Sequence, residues 1–252
     1  MDEQDTLRAI VKVSRGRLGG STYLTALAER AILGGRPTLL ADGDRHNKGI
    51  SQSPLYAEHG LPLPAASDRV TMQRWLTDAF GAAVERRKNL VLDIGGGDEL
   101  VQEYAATSGL IEAGEALGIT VIGLFMYGTE PGDLDFIGQL QASGKFNPTR
   151  SLIVQNEWAA PEGMPPQRAF DEAGTAERIA LLKVRALKQV RMPRLLCMGQ
   201  VMESGLSFHE AAEGKRGRSG TPLGPMERFW VKKWLGDIDT DVMENGAEAW
   251  VP

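Results

Sequence analysis

The sequence contains a single cysteine, Cys197. One thiol excludes an intrachain disulfide and any metal or iron–sulfur site built from several cysteines of one chain. The three histidines, His46, His59 and His209, are far apart and lack metal-ligand spacing, so they read as surface or packing residues. No apolar run reaches the ~18 residues that a bilayer span needs. The opening residues Met1–Asp5 are polar and acidic, unlike a secretory signal. No Ser-His-Asp order with a nucleophile elbow is visible. The net charge of −5 argues against polyanion binding by bulk charge, while leaving a local basic patch open. These absences together point to a cytoplasmic protein. What is present, 252 residues of which 42% are hydrophobic, suits one α/β domain over the whole chain, 1–252.

Apolar runs alternate with helix-period stretches, as in repeated βα units. The pattern predicts strands at Leu7–Ser14, Pro37–Asp42, Asn89–Asp93, Ile119–Tyr127, Ser151–Gln155 and Arg194–Met198. It predicts helices at Ser21–Leu33, from Asp68 to about Glu85, over Asp98–Leu117, Pro131–Ser143 and Thr175–Val190, with another starting near Ser204–Ala212 and a last one at Pro225–Ile238. Asp68 is placed to cap its helix, and Gly34-Gly35 to stop the first. Gly43–Ser67 carries Pro54, Pro62 and Pro64 and reads as loop with at most a short helix. Glu213–Gly224, rich in Gly, Arg and Lys, reads as a mobile basic loop. The expected fold is α/β, a mostly parallel sheet with helices on both faces.

Between the first strand and first helix lies Val13-Ser14-Arg15-Gly16-Arg17-Leu18-Gly19-Gly20-Ser21-Thr22. Glycines there let backbone N–H groups curl inward, and the following helix N-terminus favours an anion. The Ser21 hydroxyl is placed to reach a magnesium ion between two phosphates. The segment resembles the deviant Walker A loop of the ParA/MinD family of P-loop ATPases, K-G-G-x-G-K-[ST]-[ST]. On that pattern Gly16, Gly19, Ser21 and Thr22 match, Arg15 stands for the signature lysine, Arg17 for a glycine, and Gly20 for the phosphate-binding lysine. The last change removes the point charge that holds terminal phosphates, and arginine's planar fork is a different device.

Other segments resemble the same family. Leu39-Leu40-Ala41-Asp42-Gly43-Asp44 is similar to its LLIDxDP element, which implies that Asp44 orients an attacking water and Asp42 supports the metal; Arg45 replaces a proline. Leu90–Asp93 resembles Walker B, which makes Asp93 a magnesium ligand through water, and Ile94-Gly95-Gly96-Gly97 follows as a close-approach turn. Leu152–Asn156 resembles the strand whose final asparagine meets the adenine edge, here Asn156. Pro193–Met198 and Ser204–Glu210 are similar to a late stretch of ParA proteins, and the StbB and TraL partition and conjugation types are nearest in character.

The resemblance implies an ATP- and Mg2+-dependent homodimer that acts with a protein partner in plasmid partition or conjugative transfer, with slow or absent hydrolysis. A second reading is a pseudo-ATPase scaffold with no nucleotide. A metabolic ligase of the dethiobiotin synthetase kind would need lysines near the loop, and Gly20 speaks against it. Lys215, Arg216 and Arg218, with Arg185, Lys188, Arg191 and Arg194, offer a basic surface for DNA without sequence preference. The last helix carries Phe229, Trp230, Trp234 and Leu235 beside Lys232 and Lys233. A MinD-like membrane role would use such a helix, but the acidic residues that follow favour packing on the core or on a partner. Cys197 falls in a predicted buried strand, where a thiol is inert.

Overall fold

The computed structural model describes residues 6–44, 48–95, 109–144, 146–183 and 185–252. The expectations for Met1–Asp5, Arg45, His46, Gly96-Gly97 and the first half of the helix over 98–117 lie outside the described residues.

Six strands form one sheet: β1 (Leu7–Lys12), β2 (Thr38–Asp42), β3 (Asn89–Asp93), β4 (Ile119–Tyr127), β5 (Arg150–Asn156) and β6 (Leu187–Met192). Their order is β2-β3-β1-β4-β5-β6, and every pairing is parallel. Parallel strands require crossovers that cover both faces. Ala9, Val11, Leu90, Leu92, Phe125 and Tyr127 face one apolar layer with α3 (Arg69–Arg86), α4 (Leu110–Ala116) and α5 (Pro131–Ala142). Ile10, Leu40, Val91, Ile122, Leu124 and Val154 face the other, with α1 (Gly20–Leu33), α9 (Phe208–Glu213) and α10 (Pro225–Glu244). Shorter helices are α2 (Tyr56–His59), α6 (Pro166–Glu172), α7 (Thr175–Ala180) and α8 (Met198–Ser204).

This two-sided burial is why the central strands are nearly continuous apolar runs. It also sets the parity of their ends. Lys12, Asp42 and Asp93 each follow a residue of the second layer by two, so all three face α1.

Asp68 caps α3 as the sequence predicts, accepting the Thr71 N–H at 3.0 Å. Such a cap contributes about 1 kcal/mol. Two expectations are corrected. The helix predicted over Thr175–Val190 ends at Ala180, and its second half is the edge strand β6. The strand predicted at Arg194–Met198 is a turn leading into α8, with Cys197 buried at the N-cap of that helix. The cause is exposure. An edge strand keeps polar residues such as Gln189 and Arg191 outward, which mimics a helix pattern in sequence. β6 is anchored from behind: buried Asp241 of α10 accepts both the Arg191 backbone N–H and its Nε, each at 2.6 Å.

The last helix is longer than its predicted Ile238 end and packs on the core. Val231, Trp234, Ile238 and Val242 are buried, and Trp234 donates to the Pro193 carbonyl at 2.8 Å. Glu213–Gly224, expected as a mobile loop, carries its own hydrogen bonds, including Arg218 N–H to the Ser204 carbonyl at 2.9 Å and Gly217 N–H to Thr221 at 3.1 Å.

Candidate phosphate-binding site

β1 ends at Lys12, and the chain then crosses an exposed stretch, Arg15–Arg17, before α1 begins at Gly20. Arg17 and Gly19 both have left-handed backbones, φ 68° and 76°. Arg17 thus holds a conformation that favours glycine, at a steric cost for a residue with a Cβ. A Cβ at Gly19 would also lie 2.7 Å from the terminal methyl of Met192. The α1 N-terminus has no side-chain cap. Its first-turn N–H groups therefore suit an anion.

Beneath that turn runs Lys12, a residue the sequence reading passed over. It is 6% exposed. Its ammonium lies 2.5 Å from Asp93 Oδ1 and donates to Ser21 Oγ at 3.3 Å. Parallel pairing brings this about, because Lys12 is the register partner of Asp93. The lysine stem passes so close to α1 that a Cβ at Gly20 would stand 2.5 Å from Lys12 Cδ and 3.2 Å from its Cγ. Any side chain at position 20 would have to displace the stem of Lys12. A signal existed in sequence: a lysine at a buried parity within Ile10-Val11-Lys12-Val13 is costly unless its charge is paired.

Asp42 is fully buried, and its carboxylate accepts N–H groups from Asp44 (3.0 Å), Gly49 (3.1 Å) and Ser51 (2.9 Å). Burial pushes its carboxyl above the ordinary range and Asp93 adds to this, while the Ser51 and Asp44 hydrogen bonds oppose it. Asp42 therefore organises the following loop. Asp44 lies over the turn after β3, where a Cβ on Gly95 would be 3.3 Å from the Asp44 carboxyl carbon. Ser21, Asp93 and Asp44 thus gather at the same edge of the sheet.

The magnesium expected between Ser21 and Asp93 does not fit these residues. Lys12 already binds both groups. Asp93 Oδ2 has no donor among the described residues, but Gly49 covers it: a Cβ on Gly49 would overlap that oxygen and stand 2.6 Å from Ser21 Oγ.

The remaining expected residues lie around this centre with other engagements. Arg15 turns away to α5, 3.1 Å from Asp133 and 3.6 Å from Glu130. Asn156 spends its amide on backbone, donating to the Leu18 carbonyl at 3.1 Å and accepting from Trp158 N–H at 3.0 Å. It braces the loop through one amide N–H and one carbonyl lone pair. Thr22 joins Ser21, Thr25, Lys48, Gly49 and Arg218 in lining an adjoining cavity of about 230 Å³. The expected basic surface is largely committed within the chain. Lys215 pairs with Glu210 at 3.3 Å, Arg191 with Asp241 at 2.6 Å, Lys188 lies 4.9 Å over the Trp250 ring, and Arg194 5.1 Å over Trp158. Arg216 lies in the turn after α9.

The strand order and the anion-suited turn between β1 and α1 define a P-loop α/β fold. It is the fold of an FtsY receptor. The signal recognition particle receptor FtsY from Elizabethkingia anophelis, solved with GDP, matches 93% of this chain at 15% identity and a TM-score of 0.51; the chain spans 65% of that protein's length. The MinD cell division protein of Aquifex aeolicus matches 91% of this chain and 97% of its own at 14% identity and TM-score 0.48. A ParA family ATPase from Chlorobium tepidum matches 90% and 98% at 14% identity and TM-score 0.48. At these identities the likeness is one of fold. No family model matches the sequence, and no curated protein matches it.

Proposed function

We propose that the chain is a nucleotide-binding switch protein that takes the triphosphate of ATP at the β1–α1 turn and turns it over slowly or not at all. The observation that carries this is the grouping of Lys12, Ser21 and Asp93 under an uncapped helix N-terminus. The first-turn N–H groups and the backbone of Arg17–Gly19 hold phosphate oxygens. Lys12 supplies positive charge from below, and Ser21 relays its position. Asn156 keeps the loop in shape through Leu18. ATP, when bound, supplies the charge and shape difference that separates two states of the protein. A switch needs only a difference in affinity between those states.

Slow turnover follows from the same residues. The loop lysine that stabilises charge during transfer is absent at Gly20, and the expected metal position is filled. Asp44 remains the candidate to orient a water. The wider reading is that of the sequence resemblance: a homodimer with a protein partner in plasmid partition or conjugative transfer, with non-specific DNA as a surface partner through Lys215, Arg216 and Arg218.

Calorimetry and thermal melting of the full chain with ATP test the core of this reading. Heat of binding is expected, with stabilisation growing as ligand exceeds Kd, by ~2.7 kcal/mol at a hundredfold excess. Silence in both measurements at millimolar ATP would favour a scaffold whose Lys12–Asp93 pair has closed the site. ATP hydrolysis at a rate ordinary for P-loop switch ATPases would defeat the slow-turnover claim.

A further inference from the structure

We propose that the Lys12 ammonium stands in for a divalent cation, so that this site binds a polyphosphate without magnesium. The inference rests on the nucleotide-binding reading above and specifies its chemistry.

Three observations meet here. First, the ammonium sits between the hydroxyl of Ser21 and the carboxylate of Asp93, 3.3 Å and 2.5 Å away. These are the two side chains from which a metal-dependent phosphate loop would build its cation site. Second, the position is closed to an added ion. Lys12 fills the space under Gly20, and Gly49 stands against the other Asp93 oxygen and Ser21. Third, two more basic residues, with Glu29 as a counter-charge, line a cavity beside Ser21. Lys48 and Arg218 border the cavity of about 230 Å³ that Ser21 and Thr22 also line.

A triphosphate usually arrives with its charge partly neutralised by a metal that the protein then ligates. This chain places a tethered ammonium there instead, its charge shared with Asp93 at 2.5 Å. Tethering changes the dependence on solution conditions. A lysine is present at any magnesium concentration, so affinity does not rise when magnesium is added. Magnesium in solution competes for the same phosphate oxygens and weakens binding.

The test is calorimetric titration of the full chain with ATP, and separately with inorganic tripolyphosphate, in EDTA and in excess magnesium. The expected result is binding of both ligands in EDTA, equal to or tighter than in magnesium. Binding that appears only with magnesium overturns this inference and leaves the nucleotide reading standing. Binding in neither condition overturns both. Two variants separate the lysine's charge from its packing. Lys12→Met with Asp93→Asn removes both charges together, so no buried carboxylate is stranded, and it should lose EDTA binding by at least about tenfold, a loss equal to ~1.4 kcal/mol. Unchanged metal-free binding in that variant counts against the proposal. Lys12→Ala with Gly20→Lys moves the charge onto the loop and releases Asp93 and Ser21, and its ATP binding should become magnesium-dependent. If it instead binds without magnesium as the wild type does, the location of Lys12 is not what sets the metal requirement, and the inference fails.

Discussion

The stem of Lys12 occupies the volume that a side chain on Gly20 would enter, with Lys12 Cδ only 2.5 Å from where that Cβ would stand. The two positions are therefore coupled. One belongs to a strand and the other to the first turn of a helix, and only one of them can carry a long side chain.

Gly20→Lys alone should not restore a working loop. The new side chain must push Lys12 aside, and overpacking of this kind costs about 1–3 kcal/mol. Lys12→Ala alone strands the buried Asp93 carboxylate, which costs about 3–5 kcal/mol. Together the two changes should cost less than their sum, by more than the ~0.5 kcal/mol within which independent sites add. Urea unfolding of the wild type, both singles and the double measures this coupling. Strict additivity would contradict the shared volume.

Asp241 should govern the edge of the sheet. Its carboxylate binds Arg191 through backbone and side chain, both at 2.6 Å. Asp241→Ala leaves a strand N–H without its acceptor, and hydrogen bonds to a charged group contribute about 1.5–3 kcal/mol each. Hydrogen exchange should quicken in Leu187–Met192 while β1 and β3 stay protected. Uniform loosening of all strands would show that Asp241 acts globally instead.

Glu29 joins α1 to α9. Its carboxylate accepts the N–H groups of Phe208 (3.0 Å) and His209 (3.1 Å) and faces His209 Nδ1 at 2.9 Å. Glu29→Ala should destabilise by about 2–4 kcal/mol, since it strands two partly or fully buried donors. His209→Ala should cost less, because both backbone N–H bonds survive. Thermal melting of the pair checks the ranking, and a larger loss for His209→Ala would reverse the assignment.

Asp42 should leave a mark on the pH dependence of stability. Burial raises its folded value above the unfolded one, which lies near ~3.9. Between those two values the folded state binds more protons than the unfolded state. The slope of stability with pH is then negative across that window. Asp42's contribution is fullest below the unfolded value and declines as pH rises through the raised one. In Asp42→Asn this component disappears, so the difference in urea midpoint between variant and wild type should change across that window. A difference that stays constant with pH would show that Asp42 does not titrate there.

Much of the architecture could be read from residue order. The first five strands follow from apolar runs that parallel burial forces on them, and Asp68 marks a helix start by its chemistry alone. The site was half legible. Gly19, Ser21 and Asp93 sit at element ends whose types are evident in sequence. The buried parity of Lys12 demands a paired charge, but which residue supplies it depends on the strand that lies alongside. The resemblance marks Asn156 for an adenine edge and Asp42 for metal support, but their hydrogen-bond partners in the structure lie in segments whose return path residue spacing does not reveal.

By itself, then, the sequence determined the alternation of strands and helices and the glycine-bearing turn between β1 and α1, since burial, capping and backbone freedom are local properties. Tertiary structure alone decided which strand Lys12 would lie beside, that Leu187–Met192 would be an edge strand, and that Asp42 would spend its oxygens on backbone. The physical reason is that pairing depends on where the crossovers return. A charge can be buried at Lys12 only because the register of β1 with β3 delivers Asp93 to meet it.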